Sequence, residues 1–248
     1  MTLHGRRVLV TGGGTGLGAD LARGFAAAGS DVVVCGRRPQ PLDVLAAEVD
    51  GVRALVADVT DEASVDALFA AAGPVDVIVA NAGVAASAPL ARTELDLWNE
   101  MIAVNLTGAF LTLRAGVRQL RGRDWGRLIV VASITGLQGF PYVSAYTAAK
   151  HGAVGLTRAV AQEVAGAGIT ANALCPGYLD TEMTERTVAN IMATTGRSHD
   201  DAMKTLTRAN PQRRLVQPAE VTAAALWLCG PGSDAINGQA IAIAGGEL

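Results

Sequence analysis

Short, apolar, largely β-branched runs recur along the chain, separated by longer segments rich in alanine and leucine. The runs are RVLVT (7–11), DVVVCG (31–36), VRALVA (52–57), VDVIVA (75–80), GRLIVVA (126–132), GITANAL (168–174) and QAIAIA (239–244). They are too short for helices and too apolar for strands with one wet face, so they predict a parallel sheet of about seven strands covered on both sides. Between them lie helical stretches near 17–28, 39–48, 61–71, 94–121, 144–165 and 218–229. Strict alternation of this kind predicts an α/β, doubly wound fold with right-handed crossovers and ligands at the carboxyl ends of the strands. No linker, repeat or low-complexity tract divides the chain, so a single domain over 1–248 is expected. The rhythm breaks only at 178–217, which is too long for a simple connection and predicts a helical lid over a site.

Composition narrows the functional classes without naming one. Half of the 248 residues are apolar and 17% are charged, ample for a large core. The net charge of -3 is spread without acidic or basic blocks, which leaves no footprint for nucleic acid or an anionic membrane. No segment reaches the roughly 18 uninterrupted apolar residues of a membrane span, and no export signal is visible, so a soluble, cytoplasmic protein is expected. Cys35, Cys175 and Cys229 are odd in number and far apart, which favours reduced structural thiols over a disulfide, a metal site or a nucleophile.

The first candidate chemistry is VLVTGGGTGLGADLARGF, a strand, a glycine turn and a helix in succession. Gly12, Gly16 and Gly18 allow a tight turn and close backbone approach, and the N-terminus of the next helix offers free N–H groups to a pyrophosphate. This is the Rossmann-type dinucleotide pattern. An acid at the end of the second strand would bind the ribose 2′-hydroxyl of NAD. There the chain carries Gly36 followed by Arg37 and Arg38. A guanidinium fork suits a 2′-phosphate, so NADP(H) is the expected cofactor and NAD(H) the alternative. Asp58, after the third strand, either accepts from the adenine amine or caps the helix that starts near Glu62.

A second feature is SAYTAAKHG (144–152), which places Tyr146 and Lys150 one helical turn apart. That spacing alone fits either an ordinary surface pair or a proton donor beside a tuning cation. Taken with TGGGTGLG (11–18), NAG (81–83), NLTG (105–108), Ser133, YTAAK (146–150) and PGYLDT (176–181), the chain resembles the short-chain dehydrogenase/reductase family over essentially its whole length. The resemblance implies a catalytic tetrad of Asn105, Ser133, Tyr146 and Lys150, with Asn105 bending its helix and positioning a water behind the lysine. It implies cofactor contacts from Thr15 and Leu17 in the glycine loop, from Val59 beside Asp58, from Asn81, Ala82 and Gly83, and from Pro176, Gly177, Leu179 and Thr181 around the nicotinamide. Ala244 stands where many relatives carry an aspartate. Within the family the pattern is most like 3-oxoacyl-thioester reductases.

The proton chemistry can be reasoned separately. An unperturbed tyrosine titrates near ~10, and a neighbouring ammonium, along with the oxidised nicotinamide, is expected to favour phenolate and lower that value. Ser133 would hold the same substrate oxygen. Gln138, Phe140, Tyr142 and Met183, with Ile191 and Met192, are candidates for the substrate pocket, though the lid residues could equally form a lid core. Lys204, Arg208, Arg213 and Arg214 could meet the phosphate of CoA or of an acyl carrier, or form a solvated mixed-charge surface. The expected activity is interconversion of a ketone and a secondary alcohol by a homotetramer, with no metal. The other readings are a non-redox lyase or epimerase, and a non-catalytic nucleotide-binding protein.

Overall fold

A computed structural model describes residues 3–248. Seven strands form one parallel sheet in the order β3-β2-β1-β4-β5-β6-β7. They are β1 (Arg7–Thr11), β2 (Asp31–Gly36), β3 (Val52–Val56), β4 (Val77–Ala80), β5 (Gly126–Val131), β6 (Ile169–Pro176) and β7 (Ala240–Ile243). The helices are α1 (Gly16–Ala27), α2 (Pro39–Glu48), α3 (Glu62–Ala72), α4 (Leu95–Ile102), α5 (Gly108–Leu120), α6 (Ser144–Val164), α7 (Glu182–Thr195), α8 (His199–Thr207) and α9 (Pro218–Leu228). Proline opens both α2 and α9, where its missing N–H has no helical partner to lose.

Side-chain alternation explains why the strands read as unbroken apolar runs. Val8, Val10, Val32, Val34, Val77 and Val79 face one way and pack with Leu17, Leu21 and Phe25 of α1, Leu42 and Leu45 of α2, and Val221, Ala225 and Leu228 of α9. Leu9, Val33, Cys35, Ile78, Leu128 and Val130 face the other way and pack with α3, α5 and α6 through residues such as Leu68, Leu113 and Val160. Both faces of each strand are therefore core. Chain order reverses between β1 and β4, and the cleft outside the carboxyl ends of these two strands is where such sheets hold ligands.

Two expectations need correction here. The predicted helix over 94–121 is not continuous: a π-helical turn at Ala103–Thr107 separates α4 from α5, with Asn105 inside it. The cap of α3 is Asp61, whose carboxylate accepts from Ala63 N at 3.0 Å, so Asp58 does not serve that helix. The segment 178–217 does fold into a helical pair, α7 and α8, around a small core of Val188, Ala202 and Leu206. Its ends are tied together by a bridge between Leu179 and Val216, with Asp180 N donating to Val216 O at 2.9 Å. Among the described residues, no helix is long and apolar enough to cross a membrane.

Candidate active site

All of the candidate residues stand at the carboxyl edge of the sheet or on elements that begin there. The glycine turn after β1 is fixed by contact as well as by conformation. Gly12 has φ +64°, and a Cβ on it would come within 2.8 Å of Ala82 Cα. A Cβ on Gly18 would overlap Gly12 O, so this turn tolerates no side chain where α1 meets it. Thr15, at the N-cap of α1, does not use its side chain to cap the helix. The first N–H groups of α1 thus remain available to an anion, and the turn fits a dinucleotide pyrophosphate. Leu17 is buried, so only its backbone faces this site.

Thr11, a residue the motif contained but the sequence reading gave no role, is the hub that joins this turn to β4. Its hydroxyl accepts from Asn81 N at 3.0 Å and Ala82 N at 3.1 Å. Asn81 in turn donates from Nδ2 to Thr11 O at 2.8 Å and Gly12 O at 3.2 Å. The Asn81 side chain thereby joins the turn after β1 to the end of β4. At the other end of the cleft Arg37 and Arg38 are exposed after β2. Asp58 holds Thr60 through its backbone N–H at 2.9 Å and its hydroxyl at 2.8 Å. These bonds, aided by the Arg37 charge and opposed by burial, keep the Asp58 carboxyl below its ordinary value. The Val59 side chain is buried against Gly108 at the start of α5.

Asn105 is 2% exposed, and its amide is fully committed. Nδ2 donates to Val84 O at 2.9 Å and Met101 O at 3.0 Å, while Oδ1 accepts from Val84 N at 3.2 Å. The π turn places this amide against the chain that leaves β4. Gly83 sits in the gap: a Cβ there would be 2.9 Å from Asn105 Oδ1 and 3.7 Å from Lys150 Nζ. Lys150 is 4% exposed and donates to Val131 O, at the end of β5, at 2.8 Å. Its other two protons have no partner among the described residues.

Ser133 follows β5, and Tyr146 and Lys150 lie on one face of α6, with Lys150 Nζ 5.5 Å from the centroid of the Tyr146 ring. In the chain alone, Lys150 is not among the influences that act on the tyrosine. Burial pushes the Tyr146 phenol up to about 12, although part of the residue is exposed, and the influence that favours its ionised form is the Ser133 hydroxyl. Burial also draws Lys150 down to about 8. Burial is the largest influence on both groups, and the ammonium donates to the Val131 carbonyl.

On the far side, Thr181 caps α7 without using its side chain, and its methyl group is 3.5 Å from a Cβ built on Gly16. This brings the PGYLDT segment against the glycine loop. Pro176 ends β6, and Gly177 N donates to Ile243 O at 3.0 Å. The Leu179 carbonyl accepts from Thr184 Oγ1 at 2.5 Å, which leaves the Leu179 N–H as its free backbone group. Gln138 donates to Glu247 O at 3.4 Å, Phe140 is half-buried, and Met183 and Met192 are exposed. Ile191 packs into the core of the helical pair. Tyr142 is exposed with φ +69°, a strained backbone four residues before Tyr146. Asn190 on α7 donates to Ser87 at 3.2 Å across the mouth of the cleft.

Arg214 grips Glu220 with bonds of 2.6 and 2.7 Å, Arg213 donates to Arg208 O, and Lys204 is 3.8 Å from Asp201. Sequence reading also missed Cys175, Tyr178 and Glu247, which lie around the same cluster. Burial raises the Cys175 thiol to about 11 even though Ser133, Lys150 and Arg158 favour its thiolate.

The profile of the family described as short chain dehydrogenase matches residues 6–191. The chain belongs to that family. As a short-chain dehydrogenase it is an NAD(P)-dependent oxidoreductase. It is 32% identical over 252 residues to D-beta-hydroxybutyrate dehydrogenase of Rhizobium meliloti, covering 97% of this chain and 98% of the relative. It is 35% identical over 245 residues to the 3-oxoacyl-[acyl-carrier-protein] reductase MabA of Mycobacterium avium, covering 97% and 89%. The crystal structure of a single-substitution variant of actinorhodin polyketide ketoreductase with NADPH superimposes with a TM-score of 0.91, at 36% identity and coverage of 98% and 97%.

Proposed function

We propose that this short-chain dehydrogenase interconverts a ketone and a secondary alcohol with NADP(H), and that Asn105, Ser133, Tyr146 and Lys150 carry the reaction. The observation that carries the proposal is the buried Lys150 ammonium. It is anchored to Val131 O at 2.8 Å beneath Tyr146, with two protons free toward the cleft that the glycine turn and PGYLDT enclose. The bound nicotinamide would supply or accept hydride at the substrate carbon. Tyr146, held protonated by burial, donates to the carbonyl oxygen. Ser133, whose hydroxyl favours the ionised phenol, would hydrogen-bond the same oxygen and fix the approach of the carbonyl. Lys150 is placed to hold the nicotinamide ribose and to return a proton to Tyr146. Asn105 positions Lys150 through the Val84 and Gly83 backbone rather than touching the substrate.

The two arginines after β2 and the absence of an acid there support NADP(H) over NAD(H). The likeness to 3-oxoacyl reductases supports a 3-oxoacyl thioester or similar carbonyl as substrate. The helical pair α7–α8 acts as the substrate lid, latched by the Asn190–Ser87 bond. Exposed Trp98 and Phe110 on α4 and α5, Trp227 on α9 and the partly open edge strand β7 support a homotetramer. Three unpaired cysteines suit a reducing, cytoplasmic setting. The test is absorbance at 340 nm with NADPH or NADH and a panel of ketones. Turnover with NADPH is expected; tight nucleotide binding without turnover of any ketone would refute the reading, and a strong NADH preference would refute the arginine argument.

A further inference from the structure

The C-terminal tail carries a carboxylate to the substrate side of the cleft, although nothing in the motifs points there. After β7, Gly245 and Gly246 adopt φ +62° and +92° and turn the chain back, and Glu247 N closes the turn on Ala244 O at 3.2 Å. The Glu247 carbonyl accepts from Gln138 Nε2 at 3.4 Å, which ties the tail to the loop between Ser133 and Tyr146. Its carboxylate lies over the Pro176–Gly177 turn, where a Cβ on Gly177 would be 3.5 Å from Oε2. Burial first, and the Glu247 charge second, raise the Tyr178 phenol, and the Tyr178 phenol in turn acts on Tyr146. Glu247 is therefore in electrical contact with the reacting cluster.

One oxygen of this carboxylate is unexplained. Glu247 Oε1 is sealed from solvent and accepts no hydrogen bond. Burial holds the carboxyl above its ordinary value, as an acceptor without a donor requires. Buried polar atoms in native proteins nearly always have partners, so this oxygen, beside the Pro176–Gly177 turn and tied through its backbone to Gln138, calls for a donor. We propose that Glu247 is a specificity-determining residue that accepts a hydrogen bond from a hydroxyl carried by the substrate near its reacting carbonyl. The proposal rests on the ketone-reductase reading and sharpens it. A 3-oxoacyl thioester with a purely hydrocarbon chain leaves Oε1 unpaired, whereas a hydroxylated acyl chain or a hydroxyketone satisfies it. A hydroxyl needs only this one acceptor, while Gln138 and Tyr178 beside it are neutral and Glu247 is the one anion. A substrate carboxylate at this point meets like charge.

The test compares kcat/KM for acetoin, butanone and acetoacetate with NADPH, in the native enzyme and in Glu247→Ala and Glu247→Gln. The native enzyme is expected to favour acetoin over butanone by at least ~10-fold, because a site built for a hydroxyl discriminates against the analogue without it. Glu247→Ala should bring that ratio near one, and Glu247→Gln should relieve the rejection of acetoacetate. A native enzyme without the preference, a preference that survives Glu247→Ala, or a loss of NADPH affinity as large as the change in ratio would overturn the proposal. If the native enzyme reduces no ketone, the ketone-reductase reading has failed, and Glu247 is judged by calorimetry on the NADP-saturated protein. A vicinal butanediol should then bind better than secondary butanol, and only while Glu247 is present; equal binding, or none, overturns the proposal.

Discussion

The two walls of the cleft are built in opposite ways. On the nucleotide side each element is held by another: Thr11 ties β1 to the chain after β4, Asn81 ties that chain back to the turn, and Gly18 is packed against Gly12. On the substrate side, α7 and α8 stand on a core of three buried residues, with an isolated bridge at their base and exposed Met183 and Met192 on their surface. The nucleotide wall has one arrangement because its atoms are in contact. The proposed substrate wall has only a small buried core to oppose its opening. Chemistry common to many substrates belongs on the first wall, and discrimination among them on the second.

The sharpest way to break this division is to remove the proton donor, which sits between the walls. Tyr146→Phe should lower turnover by about 10²–10⁴-fold, the usual contribution of a positioned general acid, while the Kd for nucleotide stays close to native. Single-turnover kinetics and fluorescence titration separate the two quantities. A parallel collapse of nucleotide affinity would mean that Tyr146 belongs to the nucleotide wall.

The next effect falls on that wall alone. In Gly18→Ala the new methyl group would overlap Gly12 O, a clash that only backbone movement relieves. A loss of ~1–3 kcal/mol is expected from such overpacking, read as a lower Tm, together with weaker nucleotide binding. The same substitution at Gly155, where nothing lies within 4 Å, should leave nucleotide binding alone. Equal effects at both positions would argue that helix propensity, not contact with the turn, requires the glycine.

This contrast also decides what the sequence reveals. The seven strands and the nucleotide wall were legible because close packing on both faces imposes apolar runs, and backbone contact imposes glycine at fixed places. The break at Asn105 was signalled only by the family resemblance, since a π turn needs only one extra residue in a helix and leaves hydrophobic spacing almost intact. The Tyr146–Lys150 spacing showed that the side chains are neighbours but not that the ammonium donates to Val131 O or that burial dominates the phenol. Glu247 was invisible for another reason: it meets Gln138 across 109 residues of sequence, and no local pattern encodes so distant a contact.

A smaller effect tests the far end of the nucleotide wall. Arg37→Ala combined with Arg38→Ala should weaken NADPH about 10–100-fold, the loss of one or two hydrogen bonds to a charged group, and should change NADH little. Isothermal titration with both nucleotides gives the ratio directly. Equal losses would place the arginines in solvent and leave cofactor choice to other groups.

The smallest effect concerns the pair beneath the substrate and carries a definite sign. Lys150 is drawn from an ordinary value of 10.5 to about 8, so between these values the unfolded chain binds more protons than the folded one, and this residue's contribution makes stability rise with pH. Below about 8 both states are charged, and the full burial penalty is present and constant. Tyr146 acts oppositely: raised from 10.0 to about 12, it makes stability fall as pH rises through that interval. Denaturant unfolding of the native protein and Lys150→Met at pH 7, 9 and 10 isolates the lysine. The native protein should gain on the variant as pH rises from about 8 toward 10, before the tyrosine's contribution begins to fall. A difference independent of pH would show that the ammonium stays charged in the folded protein throughout this range, and that its bond to Val131 O, with other donors to the cleft, outweighs its burial.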